Sequence, residues 1–67
     1  MNTQALKAQM ILNKETLADL SEVLGTTPGT LSNKITGKAE FKQSEIQIIA
    51  RHYGLDAEQI KEIFFCN

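Results

Sequence analysis

The segment TLADLSEVLGTTPGTLSNKITGK, residues 16–38, contains two short helical patterns that are separated by a turn. In each pattern the apolar residues recur at the three- and four-residue intervals of one helix face. They are Leu17, Leu20 and Leu24 in the first pattern and Leu31 and Ile35 in the second. Each helix therefore has an apolar stripe to bury against the other, and its remaining faces are polar and small.

Capping residues mark both ends of the first helix. Thr16 and Asp19 have the spacing of a capping box, with aspartate in place of glutamate, so we expect this helix to start near Leu17. The acidic group also complements the helix dipole. Gly25 follows the last leucine of the stripe, at the position where a helix often ends in a left-handed conformation.

The second helix has equally clear ends. Thr27 is a good N-cap, and Pro28 suits the first helical position because an amide hydrogen there would have no intrahelical partner. Gly37 is placed to end this helix as Gly25 ends the first. Two helices joined in this way form a helix-turn-helix, a motif whose second helix enters the major groove of DNA.

Three further helical stripes surround this motif, and no part of the chain alternates as a strand would. Their predicted buried positions are Leu6, Met10 and Ile11, then Ile46, Ile49, Ala50 and Tyr53, and finally Ile60, Ile63 and Phe64. Ser44, with Gln47 as its partner, is the predicted cap of the fourth helix, and Asp56, with Gln59, that of the fifth. Residues 38–43 are expected to form a loop that Phe41 anchors.

Length and composition predict one domain, residues 1–67, with a small core. The lone Cys66 excludes an intrachain disulfide and a multi-cysteine zinc site. No apolar run approaches the roughly 20 residues that span a membrane, and the N-terminus lacks the features of a signal peptide. We therefore expect a soluble, cytoplasmic protein. Because no linker follows the ending IKEIFFCN, we also expect a complete small protein.

The charge balance does not favour strong non-specific binding to nucleic acid, because the formal net charge is -1. The distribution of charge is uneven, however. Between residues 27 and 43 the charged side chains are Lys34, Lys38, Lys42 and a single acid, Glu40. A domain polarised in this way can approach phosphates with its basic side, with an affinity that depends on salt. The alternative for these lysines is ordinary solvated surface.

Five short helices, with the helix-turn-helix second and third, resemble the lambda-repressor-like DNA-binding domain of bacteriophage repressors, Cro proteins and related bacterial regulators. The resemblance covers essentially the whole chain. It rests on LSEVLGTTPGTLSNKITGK, on the following KAEFKQSEIQIIARHYGLDAEQIKEIFF, and on the spacing from Ser21 through Gly25 to Leu31. The family usually has alanine at the Ser21 position, because the two helices cross closely there. The resemblance implies an all-α, five-helix domain that regulates transcription by binding an operator.

The chain departs from the family pattern at two positions. The family often places a phosphate-binding glutamine at the start of the second helix, where this chain has Leu17, so the contact falls to backbone amides, Thr16 or Lys14. The family also tends to have an apolar residue at the position of Lys34, whereas the apolar residue of this chain is Ile35. We expect Lys34 to pack its stem along the groove wall and to keep its ammonium group free for DNA.

The recognition helix, about residues 28–36, contains few groups that can read bases. Pro28 and Gly29 offer no side-chain donor, so their expected use is steric: they let the end of the helix approach DNA closely. Thr30 can then reach a base edge, a thymine methyl or a phosphate. Asn33 is the best candidate for direct readout, because its amide can pair with adenine at N6 and N7.

Phosphate contacts, which fix register without specifying sequence, are expected from residues around this helix. Besides Thr16 and Lys14, the candidates are Thr27, Ser32, Lys34, Lys38 and Lys42. Ser32 has a second interpretation as a structural residue of the helix.

Phe64 and Phe65 are successive residues, so their rings point about 100° apart around the last helix. If one ring fills the core, the other faces solvent and suggests a partner surface. Because the family commonly pairs monomers through C-terminal elements, the expected partner is a second copy, with Phe64 and Phe65 at the dimer interface. The alternative is that both rings fold onto the core.

The sequence contains no catalytic motif, and neither His52 nor Cys66 has an evident orienting group, so we expect no enzymatic activity. No cofactor, metal or small-molecule ligand is expected. The expected function is sequence-specific binding of double-stranded DNA by a repressor-like regulator. A second hypothesis is a protein-interaction module of the same fold, such as an antirepressor or a DNA-mimic relative, which the negative net charge and the missing glutamine permit.

Overall fold

The structure, a computed structural model, describes residues 1–65 of the chain, and within them every regular element is an α-helix. The elements are α1 (Thr3–Leu12), α2 (Leu17–Leu24), α3 (Pro28–Ile35), α4 (Gln43–Tyr53) and α5 (Ala57–Phe64). The prediction of an all-helical chain with five helices is confirmed. The predicted starts of α2 and α3, at Leu17 and Pro28, are also correct.

The core is a single apolar cluster to which every helix contributes one fully buried side chain. These are Leu6, Leu20, Leu31 and Ile49, each 0% exposed, and Ile63, 2% exposed. The predicted stripes therefore face inward, as the helical spacing required. Ile11 is the exception: it is 75% exposed, so its predicted place in the α1 stripe is wrong. It lies one position around the helix from Met10, which already faces the core.

Helix packing joins the two ends of the chain. α2 packs against α3 and α4, while α5 packs against α1 and α4. The start of α1 is tied to two other helices by hydrogen bonds: the Asn2 amide donates to the Ile63 carbonyl at 2.7 Å, and Thr3 Oγ1 donates to the Ile35 carbonyl at 2.9 Å. Ser21 is 2% exposed, which agrees with the small residue expected where α2 crosses its neighbours.

The N-terminal caps follow the sequence with one exception. The capping boxes of α2 and α5 are present as predicted, and the Thr27 hydroxyl accepts from the Thr30 amide. Ser44, however, is not the cap of α4, which begins one residue before it. Instead the Glu45 carboxylate accepts the amide of Lys42, the residue before the helix, at 2.8 Å. A carboxylate binds that amide more strongly than a neutral side chain would.

The first four helices end in the same hydrogen-bonded motif. A residue with positive φ follows the last turn, and the next amide donates to a carbonyl five residues back, as in a Schellman motif. These bonds are Glu15 to Met10, Thr26 to Ser21, Lys38 to Asn33 and Leu55 to Ala50, all between 2.8 and 2.9 Å. Glycine supplies the positive φ after α2, α3 and α4, but Lys14 supplies it after α1, with φ 55°.

Replacing Lys14 with glycine should stabilise the protein. The left-handed conformation costs a residue with a Cβ atom about 1–2 kcal/mol, while glycine loses about 0.5–1 kcal/mol more backbone entropy on folding. We expect Lys14→Gly to raise the free energy of unfolding by roughly 0.5–1 kcal/mol in urea titrations, as the difference between these terms. Asn13→Gly is the matched control, because Asn13 has φ -94° and gains nothing from glycine. A Lys14→Gly protein less stable than the parent would contradict the argument.

Candidate functional site

α3 buries one face and exposes the opposite one. Leu31 and Ile35 lie in the core, 0% and 5% exposed. The residues predicted to face DNA are all exposed: Thr27, Pro28, Gly29, Thr30 and Asn33. α3 itself carries no acidic residue. The structure thus brings these residues together on one accessible surface of small and polar groups, which we term the α3 surface.

The α3 surface has donors that its internal hydrogen bonds leave free. The hydroxyls of Thr27 and Thr30 share one hydrogen bond at 2.9 Å. Only one hydroxyl hydrogen can be used in that bond, so the other remains for an outside acceptor. The Asn33 side chain is exposed, while its backbone carbonyl accepts from the Lys38 and Ala39 amides at 2.8 and 3.1 Å. The Asn33 amide group is thus presented by a well-tethered backbone.

Gly29 has no internal reason to be glycine. Its φ is not in the left-handed region, and a Cβ atom added there would meet nothing within 4 Å. In the interior of a helix glycine is less favourable than alanine by about 0.8–1.0 kcal/mol. The absent side chain leaves the exposed start of α3 open to close approach by another molecule.

The loop from Thr36 to Lys42 continues the α3 surface with two exposed lysines, Lys38 and Lys42. Phe41 anchors this loop as predicted: its ring meets the Phe64 ring edge to face, with centroids 5.4 Å apart. The aromatic contact holds the loop against α5, so its two lysines extend from a fixed backbone.

Lys34 does not have the free ammonium group that we expected. Its Nζ binds Glu45 Oε2 at 2.5 Å, and the two side chains are only 11% and 13% exposed. The expectation failed because Lys34 lies beside the buried face of α3 and meets the first turn of α4. Burial raises the pKa of Glu45, but the hydrogen bonds from Lys34 and from the Lys42 amide outweigh it and leave the pKa below its ordinary value.

The remaining phosphate candidates fall into two groups. Lys14 and Thr16 are exposed at the turn between α1 and α2, and the Thr16 hydroxyl bonds Asp19 at 3.0 Å. The bonds that Thr16 donates hold the pKa of Asp19 below its ordinary value. Ser32 is half-buried and lines a cleft with Met10 and Leu17, which favours its structural interpretation.

Sequence reasoning missed a second side-chain contact between distant segments. His52, for which we saw no role, lies with Nε2 at 2.9 and 2.8 Å from the two carboxylate oxygens of Glu15. This contact ties the end of α4 to the residue before Thr16. Beside it the Tyr53 hydroxyl is buried, and burial together with the Glu15 carboxylate raises the pKa of Tyr53. No local pattern marks a pair that is 37 residues apart.

The two C-terminal aromatic residues point in different directions, as expected. Phe64 is half-buried against Phe41, while Phe65 is 55% exposed, so the alternative that both rings fill the core is wrong. Phe65 lines a shallow groove with Phe41, Ile46 and Phe64. Cys66 lies outside the described residues.

No group of three or more histidine, cysteine, aspartate or glutamate side chains within residues 1–65 could hold a metal ion. None of the helices in this range is both long and apolar enough to cross a membrane.

Comparison with known proteins finds no matching protein family, no matching curated protein and no matching solved structure. The interpretation of the α3 surface therefore depends on its own chemistry.

Proposed function

We propose that this protein is a sequence-specific, double-stranded-DNA-binding transcriptional regulator. In this proposal α2 and α3 form a helix-turn-helix of the lambda-repressor-like type, and α3 enters the major groove. The observation that carries the proposal is the α3 surface: an exposed helix face without acids, continued by the exposed Lys38 and Lys42. Such a surface can approach phosphates on both sides of a groove and present small polar groups to base edges.

The proposed contacts are of two kinds, with base edges and with phosphates. Asn33 and Thr30 reach base edges, while Pro28 and Gly29 allow the start of α3 to come close. Phosphate contacts come from Lys38 and Lys42 and from the hydroxyls or amides at Thr16 and Thr27. Lys14, next to the start of α2, is a further candidate. Lys34 would have to leave Glu45 before it could bind a phosphate, so it contributes least to phosphate binding.

The direct test is to select bound sequences from a random duplex library and to measure affinity for them by fluorescence anisotropy at several salt concentrations. Affinity should fall steeply with salt, and the logarithmic slope should shrink by roughly 0.9 for each phosphate contact removed. Lys38→Ala and Lys42→Ala should each flatten the slope, whereas Lys61→Ala, at an exposed position on α5, should not. Indifference to duplex DNA, with tight binding to another regulator, would support the interaction-module hypothesis instead.

Asn33→Ala tests direct readout. We expect it to weaken binding to the selected sequence by about 1–3 kcal/mol, because a bidentate contact to adenine is lost. Binding to a random duplex should change little, since phosphate contacts are kept. The exposed position predicts an unchanged midpoint of thermal unfolding. Equal losses on selected and random duplexes would show that Asn33 does not read bases.

Gly29→Ala separates stability from binding. Alanine should stabilise the helix by up to about 1 kcal/mol, and its Cβ atom has open space around it. The same methyl group should weaken DNA binding, because it keeps the start of α3 away from the groove. We would measure urea unfolding and duplex affinity on the same preparation. A more stable variant with undiminished affinity would remove the steric role of Gly29.

The exposed aromatic ring of Phe65 also supports pairing with a second copy of the chain through α5. Two protomers could then bind half-sites about one helical turn apart. Sedimentation velocity over a range of concentrations should show a dimer that Phe65→Ala weakens. Ile48→Ala, at an exposed apolar position on α4 that is 39% exposed, should leave the association constant unchanged. A monomer at all concentrations, in both the parent and Phe65→Ala, would exclude this interface.

A further inference from the structure

Three contacts hold the loop between α3 and α4, and they tie its two exposed lysines to different helices. At the start of the loop, the Lys38 amide donates to the Asn33 carbonyl at 2.8 Å, so Lys38 moves with α3. In the middle, Phe41 packs on Phe64. At the end, the Lys42 amide donates to Glu45 Oε1 at 2.8 Å, so Lys42 moves with α4.

Glu45 makes a second contact that connects these two halves. While Oε1 accepts from the Lys42 amide, Oε2 accepts from the ammonium group of Lys34, which belongs to α3. The carboxylate is 13% exposed and the Lys34 side chain 11%, so water competes weakly for the bond between them. A charged hydrogen bond in such surroundings is stronger than one on the surface.

We propose that Glu45 is a positioning residue for DNA binding: by binding the Lys42 backbone amide with one oxygen and the Lys34 ammonium group with the other, it fixes the backbone of Lys42 relative to α3. The inference rests on the proposed function, in which α3 lies in the groove and Lys42 binds a phosphate. A phosphate contact contributes more when the backbone that carries the cation is already in place, because less conformational freedom is lost on binding. Glu45 is an acid beside the DNA-binding surface that would favour binding, although its charge repels phosphate.

Glu45→Gln tests this proposal because its two effects on DNA affinity, the loss of a hydrogen bond and the loss of a negative charge, have opposite signs. Glutamine has one carbonyl oxygen, and its NH₂ group cannot accept from Lys34 or from Lys42, so one of the two bonds is lost whichever way the amide turns. The substitution also removes a negative charge, which by itself strengthens binding to DNA. Glu40→Gln removes the same charge from an exposed position of the same loop and is the matched control.

We expect Glu45→Gln to weaken binding to the selected duplex by roughly 2- to 10-fold, which is the lower part of the range of coupling between residues in contact. Glu40→Gln should strengthen binding or leave it unchanged. If Glu45→Gln instead strengthens binding as Glu40→Gln does, Glu45 acts only through its charge and the inference is wrong. If the parent protein binds no duplex in the selection, the proposed function itself fails, and the inference fails with it.

A double-mutant cycle separates positioning from a general loss of structure. Lys42→Ala should cost less affinity in the Glu45→Gln protein than in the parent, because Lys42 is already misplaced there. Lys38→Ala should cost the same in both, since Lys38 is held by Asn33. If Lys42→Ala loses the same affinity in the two proteins, the inference is wrong. It is also wrong if the losses from Lys42→Ala and Lys38→Ala change equally between the two proteins.

All affinities are measured at a temperature at which circular dichroism shows each variant folded. If Glu45→Gln loses its helical signal, Lys34→Gln replaces it, because this change breaks the same pair from α3 and keeps the Lys42 cap. Its matched control is Lys61→Gln, which removes an equal charge from α5. Lys34→Gln should weaken binding more than Lys61→Gln and should reduce the cost of Lys42→Ala. Equal losses of DNA affinity in the Lys34→Gln and Lys61→Gln proteins would contradict the positioning role.

Discussion

The structure depends on one apolar layer to which each helix contributes a fully buried apolar side chain. Leu20 and Leu31 from α2 and α3 lie in this layer with Ile49 from α4, and α1 and α5 complete it. Residues 1–65 form one buried apolar cluster, and each helix has only two or three turns, so a fault in this layer affects the whole domain. The orientation of α3, and with it the surface proposed to bind DNA, follows from this layer because Leu31 and Ile35 must point into it.

Helices this short are not stable in isolation, so the capping residues and turns at their ends largely determine where each helix begins and ends. Three of the five helices begin with a capping side chain that the sequence identified, at Thr16, Thr27 and Asp56. Four of them end in the same turn, in which a residue of positive φ reverses the chain. Repetition of one turn geometry explains how the helices pack tightly with connections of only a few residues. At Lys14 this turn lowers the stability of the protein, because a residue with a Cβ atom takes the positive φ.

Charge is arranged so that a nearly neutral chain can still present a basic surface. Glu45 and Glu15, two of the eight acids, are engaged by Lys34 and His52 and lie mostly buried. Lys38 and Lys42 remain exposed beside a helix that has no acid. For the proposed regulator this arrangement implies modest affinity for any single phosphate and a need for correct geometry, since few cations are available. The placement of the exposed lysines then matters more than the total charge.

The amino-acid sequence by itself determined the number of helices, most of their ends and the residues that face the core. These features depend on local spacing and on capping residues such as Thr16 and Gly25, whose effect is confined to one turn of chain. It also located the exposed face of α3, because the buried stripe at Leu31 and Ile35 leaves only one other side. Sequence did not give the cap of α4, where a serine beside the true start was the more obvious choice.

Only the tertiary structure decided which polar side chains are paired. Lys34 meets Glu45 and His52 meets Glu15 because packing of the helices brings together residues that are 11 and 37 positions apart. Spacing within one helix carries no information about such pairs, since they depend on how two helices are placed around a shared core. The same packing decided that Phe64 turns inward to Phe41 while Phe65 remains exposed. Local patterns specify which side of a helix is buried, and only the assembled core specifies what each side chain meets there.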